Sequence, residues 1–228
     1  MRRTEKDILG TKELSEETLY GINTVRALEN FALGQKKMNR ELVRAIVIVK
    51  KAAAGTYLKL KIGNEDVESA IINACDHILN HECDIEACFP LQALQGGAGT
   101  SANMNVNEVL ANLALLEMGR KPGEYDVIHP LDDVNRGQST NDVYPTALRI
   151  AAIRQLRLLS DACAKLQTAF QEKENLWQDV EKLGRTELMD AVPVTLGEEF
   201  GAYAQALARD RWRLYKVEER LRQVNIGG

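Results

Sequence analysis

The sequence has no apolar run long enough to cross a bilayer and no block of like charge. A membrane-spanning helix needs about 20 consecutive apolar residues, and a signal peptide needs an apolar core behind its N-terminal charges. The charged residues are interspersed and leave a net charge of −4. Surfaces that bind nucleic acid or anionic lipid usually concentrate basic residues instead. We therefore expect a cytoplasmic protein without nucleic-acid or membrane partners.

Cysteine is also scarce, with four residues in the chain. Without a secretory signal these thiols are expected to stay reduced. His77 and His81 lie four positions apart with Cys83 and Cys88 close behind, and zinc prefers imidazole and thiolate ligands. Their spacing matches no usual structural zinc pattern, so the end of a helix with Cys75 on its apolar face is the simpler interpretation. We predict no metal site.

Proline is scarce as well, and the five prolines leave long stretches without any, at 1–89, 146–192 and 194–228. Such stretches, rich in Ala, Leu, Glu, Lys and Arg, are typical of helices. The helices predicted for the first half span about 40–61, 65–80 and 101–118. Asn64 is expected to cap the second and Gly119 to end the third. The interval 82–100 is extended and glycine-rich, but no segment alternates as a sheet would, so we predict an all-α fold.

Two much longer helical patterns fill the second half. Apolar residues repeat every three or four positions from Ile153 to Phe170, and helical composition continues from Gln138 to about Leu183. The second pattern has nearly heptad spacing and carries Leu196, Phe200, Tyr203, Leu207, Leu214, Val217, Leu221 and Val224. Two such helices cannot cover each other's wide apolar faces. We expect either that several copies associate here or that the chain is the front part of a longer protein.

Hydroxyl and amide side chains follow glycine in three short strips, at 96–101, 137–142 and 184–187. In the first turn of a helix, Ser, Thr and Asn can cap the helix. They can also stand beside its free N–H groups and receive a carboxylate. For one strip alone an ordinary cap is the simpler interpretation. The recurrence of the same chemistry favours anion binding.

Four segments in fixed order carry a family resemblance: LYGINTVRALENF from Leu19, QGGAGTSANMNVNEVLAN from Gln95, HPLDDVNRGQSTNDVYPTALRIA from His129 and GRTELMDAVPVTLGEEF from Gly184. Over essentially its whole length the sequence resembles the aspartase/fumarase superfamily. Three shorter segments are more similar to aspartases (aspartate ammonia-lyases) than to fumarases: RALENF from Arg26, KKAAA from Lys50 and GGAGTS from Gly96.

The resemblance implies an N-terminal helical domain at 1–137 and the first two long helices of a central bundle at 138–228. Family members assemble as homotetramers through this bundle. They continue with further bundle helices and a small C-terminal domain, and VNIGG at 224–228 resembles the point before that continuation. The implied partners are copies of this chain in a homotetramer, or a separate C-terminal half.

The resemblance also implies reversible elimination of ammonia from L-aspartate to fumarate, without a cofactor. Removing a proton beside a carboxylate needs a base and dense hydrogen-bond donors. The implied substrate-binding residues are Thr100, Ser101, Ser139, Thr140, Asn141, Thr186 and Glu187. The family's base is a serine in the motif Gly-Ser-Ser-x-x-x-Pro-x-Lys-x-Asn-Pro, which these 228 residues do not contain. No catalytic residue is therefore assigned, and we expect the chain to be inactive by itself.

Three positions carry open alternatives. Glu187 stands where fumarases have His and some aspartases Gln; its carboxylate can pair with the substrate ammonium or be an ordinary helix-start acid. His129 lies in a motif that in fumarases resembles a secondary anion site, but Leu131 replaces a polar residue common there. Arg26 is either an ordering residue of the substrate region or a structural ion-pair partner.

Acidic and amide residues before the first long helix, Asp132, Asp133, Asn135 and Asp142, resemble a cation cluster. They lack the turn glycine at fixed register, so capping of the helix start is the better interpretation. Two functions compete with an aspartase: a fumarase-type hydratase, and a non-catalytic remnant or helical association subunit.

Overall fold

The computed structural model of the protein describes residues 2–34, 36–80 and 84–226. The elements in chain order are β1 (Arg2–Asp7), β2 (Gly10–Ser15), α1 (Ile22–Asn30), α2 (Arg40–Leu60), α3 (Glu65–Leu79), α4 (Ile85–Cys88), α5 (Thr100–Glu117), α6 (Thr140–Leu176), β3 (Glu181–Thr186), β4 (Met189–Thr195) and α7 (Leu196–Leu221). Helices dominate, which confirms the predicted all-α class. The short helix α4 interrupts the interval that we expected to be extended.

The three helices predicted for the first half are α2, α3 and α5, each within one residue of its predicted bounds. Asn64 caps α3 as predicted, because its side chain accepts the N–H of Asp66. Gly119 follows α5 with a left-handed φ of 71°. Most of the side chains of α5 are buried, around its whole circumference. A helix buried on all sides is the centre of a core, and α2 and α3 pack around it.

The expectation of no strands is wrong, because the described residues include two antiparallel hairpins, β1 with β2 and β3 with β4. Most residues of both hairpins are exposed or half-buried. A strand that buries neither face does not need alternating apolar and polar residues. The sequence pattern that reveals a half-buried strand is therefore missing from both.

A buried carboxylate caps α1 from a distant part of the chain. Glu108 on α5 accepts the backbone N–H groups of Gly21 at 2.9 Å, Asn23 at 2.8 Å and Thr24 at 3.2 Å. It also accepts the Thr24 hydroxyl at 2.7 Å. The N-cap residue of α1 is Gly21, which has no side chain to accept these N–H groups. Burial raises the pKa of Glu108, and these hydrogen bonds act in the opposite direction. The contact joins α1 to the central helix.

The described chain forms two compact units, one up to Ala151 together with the residues from Val224 onward, and one from Ala152 to Gln223. The first unit contains β1 to α5, the start of α6 and most of the buried apolar residues. The predicted domain boundary at 137–138 concerns the start of the bundle helices and stays a prediction.

The second unit contains the rest of α6, the β3–β4 hairpin and α7. Phe170 and Trp177 pack against Phe200, with ring centroids 5.8 and 4.9 Å apart. A capping box of Thr195 and Glu198 starts α7. The expected continuation of the first long helix to Leu183 is wrong, because α6 ends at Leu176. The chain then continues into β3. This strand is largely exposed, and its first residues have the composition of a helix.

Candidate active site

The glycine loop before α5 is fixed between two aromatic rings. A Cβ added to Gly96 would lie 2.6 Å from Phe31, and one added to Gly99 would lie 2.3 Å from the ring of Tyr144. Gly99 also has a left-handed φ of 85°. Only glycine fits at both places, so the sequence is constrained here by sterics as well as by backbone conformation.

The first turn of α5 offers free donors. The Gln95 side chain accepts the N–H of Ala102 at 2.9 Å and so satisfies one of the first-turn groups. Among the described residues, no acceptor forms a hydrogen bond with the N–H groups of Thr100 and Ser101. Thr100 is exposed and Ser101 half-buried. Two backbone N–H groups and two hydroxyls thus remain at a helix N-terminus, where an anion is stabilised.

At the start of α6, capping and free donors occur together. The Ser139 hydroxyl accepts the N–H of Asn141 at 3.2 Å, so Ser139 is an ordinary N-cap. The Thr140 hydroxyl accepts the Asn103 amide at 3.3 Å. The Thr140 N–H has no acceptor among the described residues. Capping was one alternative for this strip, and it holds for Ser139. Anion binding at Thr140 and Asn141 stays a prediction.

The structure brings the first two strips together. A cavity of about 340 Å³ lies between the glycine loop and the start of α6, lined by Ala93, Gln95, Gly97, Ala98, Gly99, Asn141, Tyr144, Pro145 and Leu148. Asn103, one turn beyond Thr100 on α5, makes the hydrogen bond to Thr140. The two helix starts therefore share a wall and a hydrogen bond, although about 40 residues separate them.

A buried polar network that sequence reasoning missed lies next to these helix starts. Asn135 Oδ1 accepts Lys50 Nζ at 2.6 Å, Asn103 Nδ2 at 3.0 Å and Asn107 Nδ2 at 3.2 Å. Lys50 Nζ also donates to Gln138 Oε1 at 3.1 Å. Burial lowers the pKa of Lys50 to about 7. The sequence signal was weak, because a lysine within KKAAA looks like an exposed helical residue.

The third strip has a different structure from the one expected. Thr186 ends β3, and Glu187 and Leu188 form the hairpin turn with φ of 48° and 63°. The interpretation of Glu187 as a helix-start acid is therefore wrong. Two successive positive φ values are typical of a two-residue hairpin turn. Thr186 and Glu187 are exposed and belong to the second compact unit.

Arg26 is an ion-pair partner, which was one of its two predicted roles. Its Nη2 donates to Asp7 Oδ1 at 2.7 Å and its Nε to Asp7 Oδ2 at 2.5 Å. The hydrogen bond from Arg26 lowers the pKa of Asp7. Arg26 and Ser101 also line one shallow cavity of about 490 Å³. This pair links the β1–β2 hairpin to α1 beside the start of α5.

His129 lies on the wall of a cavity of about 700 Å³ that Arg26 and Glu108 also line. Its Nδ1 accepts the N–H groups of Leu131 at 3.3 Å and Asp132 at 3.2 Å. The imidazole therefore stabilises the loop that contains it. A secondary anion site at His129 stays a prediction.

The acidic residues before α6 and in its first turn hydrogen-bond to loop residues. Asp133 accepts the N–H of His129 at 2.8 Å and pairs with Arg136 at 2.6 Å. Asp142 accepts the Asn225 amide at 3.0 Å. Neither bond caps the first turn of α6, so the predicted capping role is wrong for these two. No group of three or more candidate ligands occurs among the described residues.

Of the residues considered for zinc, His81 and Cys83 lie outside the described residues. Cys75 is fully buried on α3, as its apolar face required, and burial raises the pKa of its thiol. Cys88 is also buried. No helix within 2–34, 36–80 or 84–226 is both long and apolar enough to cross a membrane.

Comparison with known proteins gives consistent matches. A family profile described as Lyase matches residues 10–228. The aspartate ammonia-lyase of Escherichia coli strain K12 is 46% identical over 227 residues, which are 99% of this chain and 47% of that protein. The aspartate ammonia-lyase of Bacillus subtilis strain 168 is 43% identical over 225 residues, again 99% of this chain and 47% of that protein. The chain spans about half the length of the curated relatives it matches.

Solved structures match in the same way. The fumarate lyase:delta crystallin of Brucella melitensis superposes with a TM-score of 0.95 and 47% identity, covering 100% of this chain and 53% of that one. The class II fumarase of Schistosoma mansoni superposes with a TM-score of 0.85 and 33% identity, covering 92% and 44%.

Proposed function

The chain belongs to the lyase family, within the aspartase/fumarase superfamily, and we propose that it is the N-terminal part of an aspartate ammonia-lyase. The proposed reaction is the reversible elimination of ammonia from L-aspartate to give fumarate. Relatives of that name, matched over 99% of this chain, support the substrate. The structural observation that carries the proposal is the pair of adjoining helix starts with free donors at Thr100, Ser101 and Thr140.

The chemistry explains why such donors are needed. Loss of the proton beside a carboxylate leaves an aci-carboxylate with a second negative charge before the amine departs. Preorganised donors aimed at that charge lower the barrier more than they favour the substrate itself. Helix N-termini supply such donors with little reorganisation. A carboxylate at the two helix starts would gain stabilisation as its charge grows.

We assign substrate binding to three strips: Thr100 with Ser101, then Ser139, Thr140 and Asn141, then Thr186 with Glu187. The first two strips lie in one compact unit, where Asn141 lines the cavity beside the glycine loop and the Asn103 amide, one turn beyond Thr100, donates to the Thr140 hydroxyl. In our proposal the third strip is contributed by another copy of the chain. The Ser139 hydroxyl is the weakest member, because it already caps α6.

We propose a homotetramer as the working form. The support is the apolar surface that the second unit leaves exposed on its two long helices, at Leu158, Leu159, Leu166, Trp212, Tyr215 and Val217. Monomeric soluble proteins rarely expose many large apolar side chains together, and such patches usually mark interaction sites. Association with a separate C-terminal half is the alternative that the same surface allows.

Glu187 is proposed to receive the α-ammonium of aspartate. Its side chain is exposed at the two-residue turn of the β3–β4 hairpin. Glu187→Gln removes the charge and keeps the shape, so the KM for aspartate should rise about tenfold. Glu181→Gln at the other end of β3 is the matched control, expected to leave KM unchanged. An unchanged KM in Glu187→Gln would remove the idea.

The function is tested by supplying the part of the relatives that this chain does not match. The 228-residue chain is expressed alone and together with the C-terminal half of the Escherichia coli enzyme. Fumarate formation from L-aspartate is followed by ultraviolet absorbance. We expect no turnover by the chain alone, since the serine motif is absent from these residues, and turnover by the combination.

The same assay separates the competing functions. Turnover of malate without turnover of aspartate makes the protein a fumarase-type hydratase, an alternative that the match to a class II fumarase keeps in view. If the combination forms a stable complex that turns over neither substrate, the association-subunit function is favoured. A cytoplasmic location remains part of the proposal, and cell fractionation tests it.

A further inference from the structure

Lys50 is a buried cation without a buried anion. Its side chain is 1% exposed, and its two hydrogen-bond acceptors, Asn135 and Gln138, are neutral amides. Within the described residues, no carboxylate oxygen forms an ion pair with it. The next residue differs in every respect: Lys51 is over a third exposed and pairs with Asp76 at 2.5 Å.

Burying an ammonium without a counter-charge is costly. The desolvation penalty amounts to several kcal/mol per ion, which is why buried lysines are normally paired. The fall of the Lys50 pKa to about 7 has the same cause. The titratable group facing Lys50 from α3 is the Cys75 thiol, whose own pKa is raised by burial, so it stays neutral. Because burial of the Lys50 ammonium is so costly, we expect Lys50 to have a role other than packing.

The hydrogen bonds of Lys50 lead to both helix starts. Gln138 immediately precedes the strip at 139–141. Asn135 accepts the amide of Asn103, which in turn donates to Thr140. α5 therefore presents amides to this network, and Arg136, which follows Asn135 in the chain, is already paired with Glu68 and Asp133. The Oδ1 atoms of Asn103 and Asn107 are buried and without a partner. Lys50 is the only cation in this network of the described residues.

We propose that Lys50 is a positioning residue that holds the strip at 139–141 through Asn135 and Gln138, and that its missing counter-charge is the carboxylate of the bound dicarboxylate. The inference rests on the proposed function. It deepens that function by naming a residue that does not touch the substrate and yet favours a dianion at the helix starts.

The sign of the pH dependence follows. A dianion favours the charged form of Lys50, so binding takes up a proton when Lys50 is neutral in the free protein. Dicarboxylate affinity should therefore fall as the pH rises through about 7, the pKa in the free protein. Without the lysine, this part of the pH profile should disappear.

The test compares Lys50→Met with Lys51→Met, which removes the neighbouring surface lysine. The first readout is amide hydrogen exchange of 138–141 in the ligand-free chain. The second is calorimetric titration of succinate, a dicarboxylate that cannot react, into the chain complemented with the C-terminal half. Asn135→Asp is a further variant in case Lys50→Met does not fold, because it gives Lys50 a protein carboxylate.

For Lys50→Met we expect faster exchange at 138–141, at least about tenfold weaker succinate binding below neutral pH, and a flat pH profile. Lys51→Met should match the wild type. Asn135→Asp should also flatten the profile and weaken binding. Unchanged exchange in Lys50→Met, or a wild-type pH profile in either variant, overturns the inference. If wild-type protein binds no succinate, the proposed function fails, while the exchange result still decides the positioning role.

Discussion

The two compact units differ in which side chains they bury: the first buries polar side chains, whereas the second leaves large apolar side chains exposed. In the first, buried polar side chains are held from distant elements, as Glu108 is by residues 21–24. In the second, exposed side chains form ion pairs, as between Arg185 and Asp190, and large apolar side chains such as Trp212 remain exposed. The difference indicates that the first unit completes its own core, whereas the second is shaped to be covered by something else.

The largest effect is expected when the exposed apolar side chains of the second unit are made polar. Leu159→Glu combined with Val217→Glu should lower the association constant of the chain by at least about a hundredfold, because charges would be buried in the interface. Sedimentation velocity measures the change. The unfolding of the first unit should not alter. A wild-type chain that sediments as a soluble monomer would contradict the packing argument itself.

The next largest effect is expected in the first unit. Glu108→Ala leaves the buried N–H groups of Gly21, Asn23 and Thr24 without their acceptor, and should cost about 3 kcal/mol or more. Urea unfolding followed by circular dichroism measures it. Asp190→Ala in the second unit is the counterpart, since it removes an exposed carboxylate that pairs with Arg185 at 2.5 Å. If the two variants lose similar stability, the contrast between the units is wrong.

Two glycines in the first unit test whether the site loop is constrained by packing. Gly99→Ala combines a left-handed φ with a clash against Tyr144 and should cost about 2–3 kcal/mol. Gly119→Ala has a similar φ but open space around the new methyl group, so about 1 kcal/mol is expected. Thermal unfolding compares them. Equal losses would mean that Tyr144 does not fix the loop.

The smallest expected effect is a gain in the second unit. Leu188 is fully exposed and has a φ of 63°, so Leu188→Gly should stabilise the β3–β4 hairpin by about 1 kcal/mol. Slower amide exchange of the strand residues reports it. Met189→Gly, beside it in β4, should speed exchange instead. Faster exchange in Leu188→Gly would show that the leucine side chain has a contact that its exposure does not reveal.

The helices could be predicted from the sequence because their signals are local. Asn64 caps the helix that starts one residue later, and the apolar repeat from Ile153 lies within one helix. The hairpins could not be predicted, because their strands bury too little to show alternation. The first long helix was extended too far for the same reason: residues 181–183 have helical composition but belong to the largely exposed strand β3.

In the candidate site, hydroxyls next to glycine were visible in the sequence, whereas their partners were not. Thr100 and Thr140 could be named from their strips. The link between them depends on Asn103, Asn135 and Lys50, which converge from separate elements. Such long-range convergence leaves no local pattern. At Glu187 the local pattern was misleading: it indicated the start of a helix, whereas Glu187 lies in the turn of the β3–β4 hairpin.

In the proposed function, strips from different copies of this chain form one dicarboxylate site. The most direct test mixes two inactive variants, Thr140→Val and Thr186→Val, in the enzyme complemented with the C-terminal half. If the strips meet across copies, mixed assemblies contain some sites with both threonines, and fumarate formation should rise well above that of either variant alone. A mixture no more active than the average of its two parents would contradict the claim.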